Sequence, residues 1–519
     1  MREGGFMIPE LFPVGVMDPN EKGVSVQSLL FGHRIKPQQT RQEYLVEFLL
    51  IAMAKKNLKG GDRIQPTNEM FIVSNDIERF MVEYHPISYM GLKRFIFFDN
   101  SRLDTKSPID DKAYKKCVEI MRSLIDTGTS DTDLKESIFI LQNILYGFSI
   151  ENAGRSWFNK NLLPVCPEVL FPESLARQNY REKATIGDVS TDTSFDYHSY
   201  TYMARGGEVY YLHVLHAVNH SGKDKREKLE QQLRRLLRST PQLSKISRFI
   251  EENWLDRMDY DRGNAIDSVT KTTKAIPTSY EERDALTVSE LTTFLDNRMQ
   301  PMEKLDLLSY GIVLQIIRMM ITAAAKGSET SGSVWVIDVC DRNKKEYAEI
   351  RKLAAYSFSR NEESITKYID KGITYYFNDN DEELKQKRQK GAEDDSIKVI
   401  RKLGKNMGFI IPMNGSDTRF TLSEEIIKFL VLSLIPAGTK VTFDKFLDML
   451  YDHFEIVVSP EHYSRAVQDG KTDRLSNVSF LQTNKSDFAQ RLKDCGFLRD
   501  LSDATSIVEN PYEREEDVN

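Results

Sequence analysis

Apolar residues recur every three or four positions along much of the chain, and this period predicts amphipathic helices. The first clear helix begins near Thr40, because Thr40 and Glu43 have the spacing of a capping box. Further helices are predicted over 111–126, 133–147, 208–239 with an internal break, 288–300, 302–326 and 344–371. Pro241 is expected to end the helix that begins near 208. Pro301 fits the first turn of the helix predicted over 302–326.

Shorter apolar runs predict strands at 71–74 and 94–99, and a buried strand at Val334–Asp341. The prolines between 155 and 173 favour an extended crossing between domains. Residues 380–397 are dense in charge and nearly free of apolar side chains, which favours a solvated helix or a mobile linker. The sequence therefore predicts a mainly helical, multidomain α+β protein, divided into 1–150, 151–330, 331–415 and 416–519.

The segment 416–519 has the order of elements that is typical of a winged helix. Helix one is predicted over 423–435, and Thr442 can cap helix two. A short strand at 455–458 and a polar insertion precede helix three, which Ser486 can cap. A hairpin around 502–504 then supplies the wing, so we expect a winged-helix-like domain at this end of the chain.

One stretch, Leu305–Ala325, is apolar enough to raise the question of a membrane span. It contains Asp306, Gln315 and Arg318, and a charge near the middle of a bilayer costs about 2.5–3.5 kcal/mol. We therefore expect a buried helix and no membrane partner. The first residues lack the apolar core of a signal peptide, and the four cysteines form no CxxC pair. These features favour ordinary thiols in a reducing cytoplasm.

Charge is distributed unevenly along the chain. The whole chain has a formal net charge of −7, and the segment 416–519 alone holds 12 Lys and Arg against 19 Asp and Glu. Such an excess of acid repels duplex DNA and favours a protein-docking role for this segment. The alternative is DNA contact by the third helix of the winged-helix-like domain. The available cations of this domain are Lys485, Arg491 and Lys493, together with Arg499 of the predicted wing.

Positive charge is concentrated at 221–250, which holds nine Lys and Arg against three Asp and Glu. The candidate contact residues are Arg234, Arg235, Arg238, Lys245 and Arg248. A cationic helix of this kind suits contact with the phosphates of a nucleic acid, or with an acidic protein partner. The alternative is a solvated helix face that carries ion pairs at i,i+4 spacing.

Two groups of residues suggest metal chemistry. His213, His216 and His220 share one face of a predicted helix and are a candidate zinc site, although no Glu provides the general base of an HExxH motif. Asp338 and Asp341 end the predicted buried strand and are candidate Mg²⁺ ligands. Partly buried structural histidines and polar strand ends are the alternatives. The sequence contains no phosphate loop, GxGxxG or GxSxG motif, so we predict no cofactor and do not favour an enzyme.

Four stretches resemble uncharacterised accessory proteins of bacterial anti-phage defence islands, which are often linked to DNA modification. They are QTRQEYLVEFLLIA (39–52), SWFNKNLLPVCPEVLFPE (156–173), RGGEVYYLHVLHA (205–217) and FLRDLSDATSIVENP (497–511). The resemblance implies a non-catalytic subunit of an intracellular bacterial assembly, whose partners would include an ATPase or a nuclease and DNA. A metal-dependent nuclease or hydrolase, and a DNA-binding transcription regulator, are the alternative functions.

Overall fold

A computed structural model describes the following residues: 10–13, 16–20, 24–32, 35, 39–60, 66–85, 92, 95–96, 108–125, 130–151, 160–170, 206–256, 272–278, 280–339, 347–377, 382–502 and 505–515. Within them the protein is mainly helical and carries several small sheets. The prediction of a mainly helical α+β protein is therefore confirmed.

The helices account for most of the described chain. They are α1 Val26–Phe31, α2 Arg41–Met53, α3 Pro108–Ile125, α4 Asp131–Tyr146, α5 Gly206–His220, α6 Lys223–Leu236, α7 Pro241–Asp256, α8 Glu281–Leu295, α9 Pro301–Ser328, α10 Ala348–Phe377, α11 Glu382–Asp394, α12 Ile397–Asn406, α13 Glu424–Leu434, α14 Phe443–Phe454, α15 Pro460–Gln468 and α16 Leu481–Asp494. Thr40 and Glu43 form the predicted capping box of α2. Pro301 occupies the first turn of α9, also as predicted.

The strands are short. They are β1 Lys55–Lys59, β2 Met81–His85, β3 Ser149–Glu151, β4 Lys160–Leu162, β5 Thr272–Ala275, β6 Trp335–Val336, β7 Ile410–Ile411, β8 Arg419–Phe420, β9 Lys440–Thr442, β10 Ile456–Val457, β11 Leu498–Ser502 and β12 Thr505–Glu509. Two antiparallel sheets have the orders β1–β2–β5 and β11–β12–β9. The pairs β3–β4 and β7–β8 are antiparallel, whereas β6 and β10 are parallel.

α9 is the central helix of the fold. It contacts α2, α5, α10 and α13, which together surround it with apolar side chains. α9 is long and apolar enough to cross a membrane, but 94% of its most apolar window is buried inside the protein. Its identification as a buried helix is therefore confirmed. Where α13 crosses it, the ring of Phe429 lies so close to Gly311 that a Cβ there would approach a ring carbon to 2.1 Å.

The segment 416–519 contains the elements α13, β9, α14, β10, α15, α16, β11 and β12 in that order. Helix one, the Thr442 cap of α14 and the C-terminal hairpin agree with the prediction. α15 forms the first part of the predicted polar insertion, and 469–480 has no regular secondary structure. The predicted cap at Ser486 is wrong, because α16 begins at Leu481 and the Ser486 hydroxyl donates inside the helix to the carbonyl of Gln482.

This C-terminal region is joined to the rest of the chain by backbone hydrogen bonds. β6 pairs with β10, and Asp338 N–H donates to the Phe420 carbonyl at 2.9 Å. The tail returns to the end of α8, where Glu515 N–H donates to the Asp296 carbonyl at 2.7 Å. A single apolar cluster therefore extends from Leu11 to Val508 across the predicted domain boundaries.

Other differences from the prediction have local causes. Residues 71–74 are not a strand, because the side chain of Asn219 takes over hydrogen bonds of Ile72 and Ser74. Phe95 and Ile96 are helical rather than extended, and the remainder of 94–99 lies outside the described residues. Pro241 begins α7 instead of ending α6, which already stops at Leu236 before a turn.

Gly206 and Gly207 bring the start of α5 against α2. A Cβ at Gly206 would overlap the ring of Tyr44, and one at Gly207 would lie 2.2 Å from the Tyr44 carbonyl oxygen. The Gly207 N–H also donates to Glu47 at 3.0 Å. The glycine pair therefore serves close helix packing, which fixes the position of the histidine-bearing face of α5.

Candidate nucleic-acid-binding cleft and histidine cluster

A cleft of about 490 Å³ opens beside the turn that connects α6 to α7. Four of the five cations predicted from 221–250 line it: Arg234, Arg238, Lys245 and Arg248. We call this the cationic cleft. Met53, Pro167 and Leu237 supply apolar parts of its lining. Pro241 also lines it, so the positive end of the α7 dipole adds to the field of the cations.

Two of the cations that line the cleft are ion-paired. Arg234 binds Glu230 at 2.6 Å with i,i+4 spacing and donates to the Asn68 carbonyl. Arg248 binds the buried Glu168 at 2.6 Å but keeps 61% of its side chain exposed. The Arg234–Glu230 pair matches the alternative of a helix face with i,i+4 ion pairs, whereas the Arg248–Glu168 pair joins α7 to a distant part of the chain. Both pairs reduce the charge that each arginine presents to a ligand.

Arg238 and Lys245 are different. Both are exposed, and neither forms an ion pair with any other residue in the described part of the chain. They lie on opposite sides of the α6–α7 turn and face the same cleft. The cleft therefore keeps two cationic side chains that are available to an anionic ligand.

The cationic surface continues around the end of α6. A second cleft of about 690 Å³ is lined by Arg234, Arg235, Arg238 and Lys304, together with Glu515 of the tail. Lys304 is ion-paired with Glu515, and burial lowers the pKa of Lys304 while Glu515 opposes that shift. This second cleft is thus partly neutralised, and the cationic cleft is the stronger candidate for an anion.

The three cations predicted on the third helix of the C-terminal region lie among acidic groups. Lys485 is 2.8 Å from Asp444 and 3.7 Å from Glu461, with only 18% of its side chain exposed. Lys493 is 2.5 Å from Asp500. Arg491 is half-buried. None of these three residues lines the cationic cleft. Lys485 and Lys493 are already ion-paired with carboxylates.

The three histidines of α5 have separate surroundings. His213 is fully buried, with Nε2 3.0 Å from the Thr287 hydroxyl, and burial lowers its pKa to about 3. His216 is also buried, with Nδ1 2.8 Å from Oδ2 of Asp284. His220 is half-exposed, and its Nδ1 lies 3.0 Å from the His216 carbonyl.

The predicted triplet is therefore not the group whose ligand atoms converge. Glu78 joins His216 and His220 instead of His213, and one ligand atom of each of these three residues lies within 4.8 Å of the others. Glu78 sits in a short 3₁₀ turn, Ile77–Arg79, far from α5 in sequence. Spacing along one helix finds the two histidines, but no local pattern indicates this carboxylate.

The other candidate metal site does not have a free carboxylate in the described chain. Asp338 is buried and its Oδ2 accepts from Nε of Arg419 at 2.6 Å. A guanidinium this close competes with a divalent cation for the same oxygen. Asp341 lies outside the described residues.

The described cysteines, Cys166 and Cys495, are free. Burial and the neighbouring Glu168 raise the pKa of Cys166 to about 12, which makes its thiol a poor nucleophile. Cys117 and Cys340 have no described side chain.

No protein-family model matches this chain, and no curated protein shows significant similarity to it.

Proposed function

We propose that this protein is a non-catalytic subunit of a larger assembly and that it holds the phosphate backbone of a nucleic acid in the cationic cleft. The supporting observation is the pair Arg238 and Lys245, which face one cleft without an ion-pair partner among the described residues. Backbone contact requires cations within reach of phosphates and no base-specific geometry. Arg234 and Arg248 line the same cleft and add to its cationic surface.

The C-terminal region has a different role in this proposal. Its helices, the three-stranded order β11–β12–β9 and its terminal hairpin support a winged-helix-like domain. An acidic cleft of about 750 Å³ lies on this region, where Glu424, Glu425 and Asp494 meet Glu303 and Asp306 of α9. Among the described residues, the only lysine that lines it, Lys428, is ion-paired with Glu303. We assign this acidic cleft to docking of a basic segment of a partner protein.

The cellular setting follows from the sequence resemblance alone. It favours a bacterial cytoplasmic assembly that acts in anti-phage defence, with an ATPase or a nuclease among the partners. A nuclease centred on Asp338 is the weaker alternative, because Arg419 already holds that carboxylate.

The test is binding of fluorescent, random-sequence duplex DNA to the full-length chain over a series of salt concentrations. We expect the double variant Arg238→Glu/Lys245→Glu to lose at least about tenfold in affinity and to lower the salt slope by about one for each lost phosphate contact. Both residues are exposed, so the fold is not expected to change.

A matched control reverses two exposed lysines on α11, in the variant Lys387→Glu/Lys390→Glu. This control changes net charge equally, so a general electrostatic effect would lower affinity in both variants. The proposal is wrong if the wild-type chain does not bind DNA, or if the cleft variant and the control have the same affinity and salt slope.

The docking role requires surface variants rather than a deletion, because α13 and β10 belong to the common core. We expect Glu425→Lys/Asp494→Lys to remove the partner proteins that co-purify with the wild-type chain. A control, Glu136→Lys/Glu281→Lys, reverses two exposed acids elsewhere and should retain them. Equal recovery of partners with both variants would contradict the assignment.

A further inference from the structure

We propose that Glu78, His216 and His220 bind a divalent transition metal ion of the Zn²⁺ class, with one coordination position open to solvent. The two histidines are one turn apart on α5, so their side chains lie one above the other. A potential ligand atom from each of the three residues lies within 4.8 Å of the other two. Imidazole and carboxylate form the ligand set of many zinc sites that keep an open fourth position.

The Nδ1 atoms of both histidines already have acceptors. Nδ1 of His216 is 2.8 Å from a carboxylate oxygen of Asp284, and Nδ1 of His220 is 3.0 Å from the His216 carbonyl oxygen. Neither oxygen can donate, so in the neutral imidazoles each Nδ1 carries the proton. Each Nε2 is then left with a lone pair. Metal-binding histidines are typically oriented by this kind of contact to a carboxylate or a backbone carbonyl.

Glu78 supplies a carboxylate oxygen that no other described residue satisfies. Its Oε2 is shielded from solvent and has no hydrogen-bond partner among the described residues. Leaving such an oxygen unpaired is unfavourable, and a cation between it and the imidazoles removes this cost.

Hydrogen bonds from α5 hold the segment that precedes Glu78. The side chain of Asn219 donates to the Ile72 carbonyl at 3.0 Å and accepts from Ser74 N–H at 3.0 Å. Ile77 is fully buried in the core. These contacts, just before the 3₁₀ turn and at its first residue, hold the turn against the same helix that carries the two histidines.

The charges and the exposure of the site indicate its chemistry. Glu78 and Asp284 contribute two carboxylates around two imidazoles, and this set of ligands favours a divalent metal ion of intermediate softness. His220 keeps 47% of its side chain exposed, so a water molecule or a ligand can reach the metal. Ala217 stands where an HExxH motif carries its general base. We therefore assign metal binding and not hydrolysis to the site.

The test is calorimetric titration of the full-length, chelator-treated protein with Zn²⁺. We expect one site that Glu78→Gln and His220→Gln each weaken at least about tenfold. Asp284→Asn should weaken it by about 10–100-fold, because Asp284 orients a ligand without binding the metal. Zn²⁺ should also raise the melting temperature of the wild-type protein, since it binds only the folded state.

Glu136→Gln is the matched control, because Glu136 is an exposed carboxylate on α4 away from the site. It should bind Zn²⁺ as the wild-type protein does. Melting temperatures measured without metal show whether each variant is folded. The proposal is overturned if the wild-type protein binds no Zn²⁺, or if Glu78→Gln and His220→Gln retain both wild-type affinity and the thermal shift.

Discussion

Nη2 of Arg318, in the middle of α9, lies 3.0 Å from Oε2 of Glu455, the left-handed residue that ends α14. Arg318 is buried, donates to the Phe454 carbonyl at 3.0 Å and lies over the ring of Trp335 at 4.7 Å. Lys471 also contacts Glu455, at 2.9 Å. This ion pair joins the central helix to the C-terminal region.

Glu455→Gln should destabilise the protein by about 3 kcal/mol at pH 7, because it leaves the buried Arg318 guanidinium without its counter-charge. The measurement is the midpoint of urea unfolding. Asp452→Asn is the control, since Asp452 pairs with Arg465 where both side chains are more than two-fifths exposed, and such pairs contribute less than about 1 kcal/mol. Equal losses of stability in the two variants would show that the buried Arg318–Glu455 pair is worth no more than an exposed one.

The same pair predicts a dependence on acid pH. Burial raises the pKa of Glu455, but Arg318 and Lys471 outweigh this effect and lower it to about 2. The unfolded state therefore binds more protons between about pH 2 and 4.5, and stability falls as pH falls through that range. The difference between wild type and Glu455→Gln should be complete above pH 4.5 and shrink below it. A difference that stays constant down to pH 3 would be inconsistent with this prediction.

Lys56 predicts a dependence at alkaline pH. Its ammonium is fully buried and donates to the carbonyls of Ala52, Ala54 and Glu69, and burial lowers its pKa to about 7. Because the unfolded state holds this proton up to about pH 10.5, stability should rise between pH 7 and pH 10.5, by about 4 kcal/mol at most.

Lys56→Met removes the titrating group and leaves three carbonyls unpaired, so the variant should be less stable and its stability should vary less with pH in this range. Urea midpoints at pH 7 and pH 9 measure both effects. The prediction is wrong if the variant keeps the wild-type slope.

Gly207→Ala should be strongly destabilising, by about 3 kcal/mol, because its Cβ would lie 2.2 Å from the Tyr44 carbonyl oxygen. Gly391 on the exposed helix α11 provides the control, because a Cβ there would have no described neighbour within 4 Å. Gly391→Ala should stabilise the protein by about 0.5–1 kcal/mol through helix propensity. Thermal unfolding measures both changes, and similar behaviour of the two variants would refute the close-packing explanation.

Lys485→Gln should leave DNA affinity within about twofold of wild type, since Asp444 and Glu461 already surround this lysine. Arg238→Gln should weaken binding more, because its side chain is exposed in the cationic cleft. Both single variants lose one positive charge, so the comparison isolates position. A larger loss of DNA affinity with Lys485→Gln than with Arg238→Gln would indicate that the C-terminal region contacts the DNA.

Sequence patterns predicted the elements whose signals are local. The capping box of Thr40 and Glu43 marks the start of α2 within four residues, and Pro301 marks the start of α9. Gly496, with φ of 79°, lies just after the end of α16, where a left-handed glycine is typical. In each case the residue that gives the signal also makes the stabilising contact.

Other features depend on partners that are distant in sequence. Residues 71–74 have the composition of a strand, yet the Ile72 carbonyl and the Ser74 N–H form hydrogen bonds with the side chain of Asn219 instead of with a neighbouring strand. The sequence does not predict β1, because its residues, KKNLK, are mostly polar. The strand forms by pairing with β2 and by burying Lys56. Long-range contacts override local preference here.

In the candidate sites, too, the local features are predicted from the sequence and the features that depend on distant residues are not. Four cations of the 221–250 segment do meet in one cleft, because a helical turn and a short connection keep them together. The group of residues whose potential ligand atoms converge differs from the predicted triplet, because contacts with α8 set the directions of His213 and His216. His213 points to Thr287, whereas Glu78 arrives from a separate turn.

The packing of α13 on α9 has a consequence for synthesis of the protein. Ribosomes extend chains at about 5–20 residues per second, so α13 emerges about 5–20 s after α9. During that interval the surface of α9 around Gly311, which Phe429 later covers, is still open to water. A nascent chain at this stage presents an apolar face of the kind that chaperones bind, and completion of α13 ends that exposure.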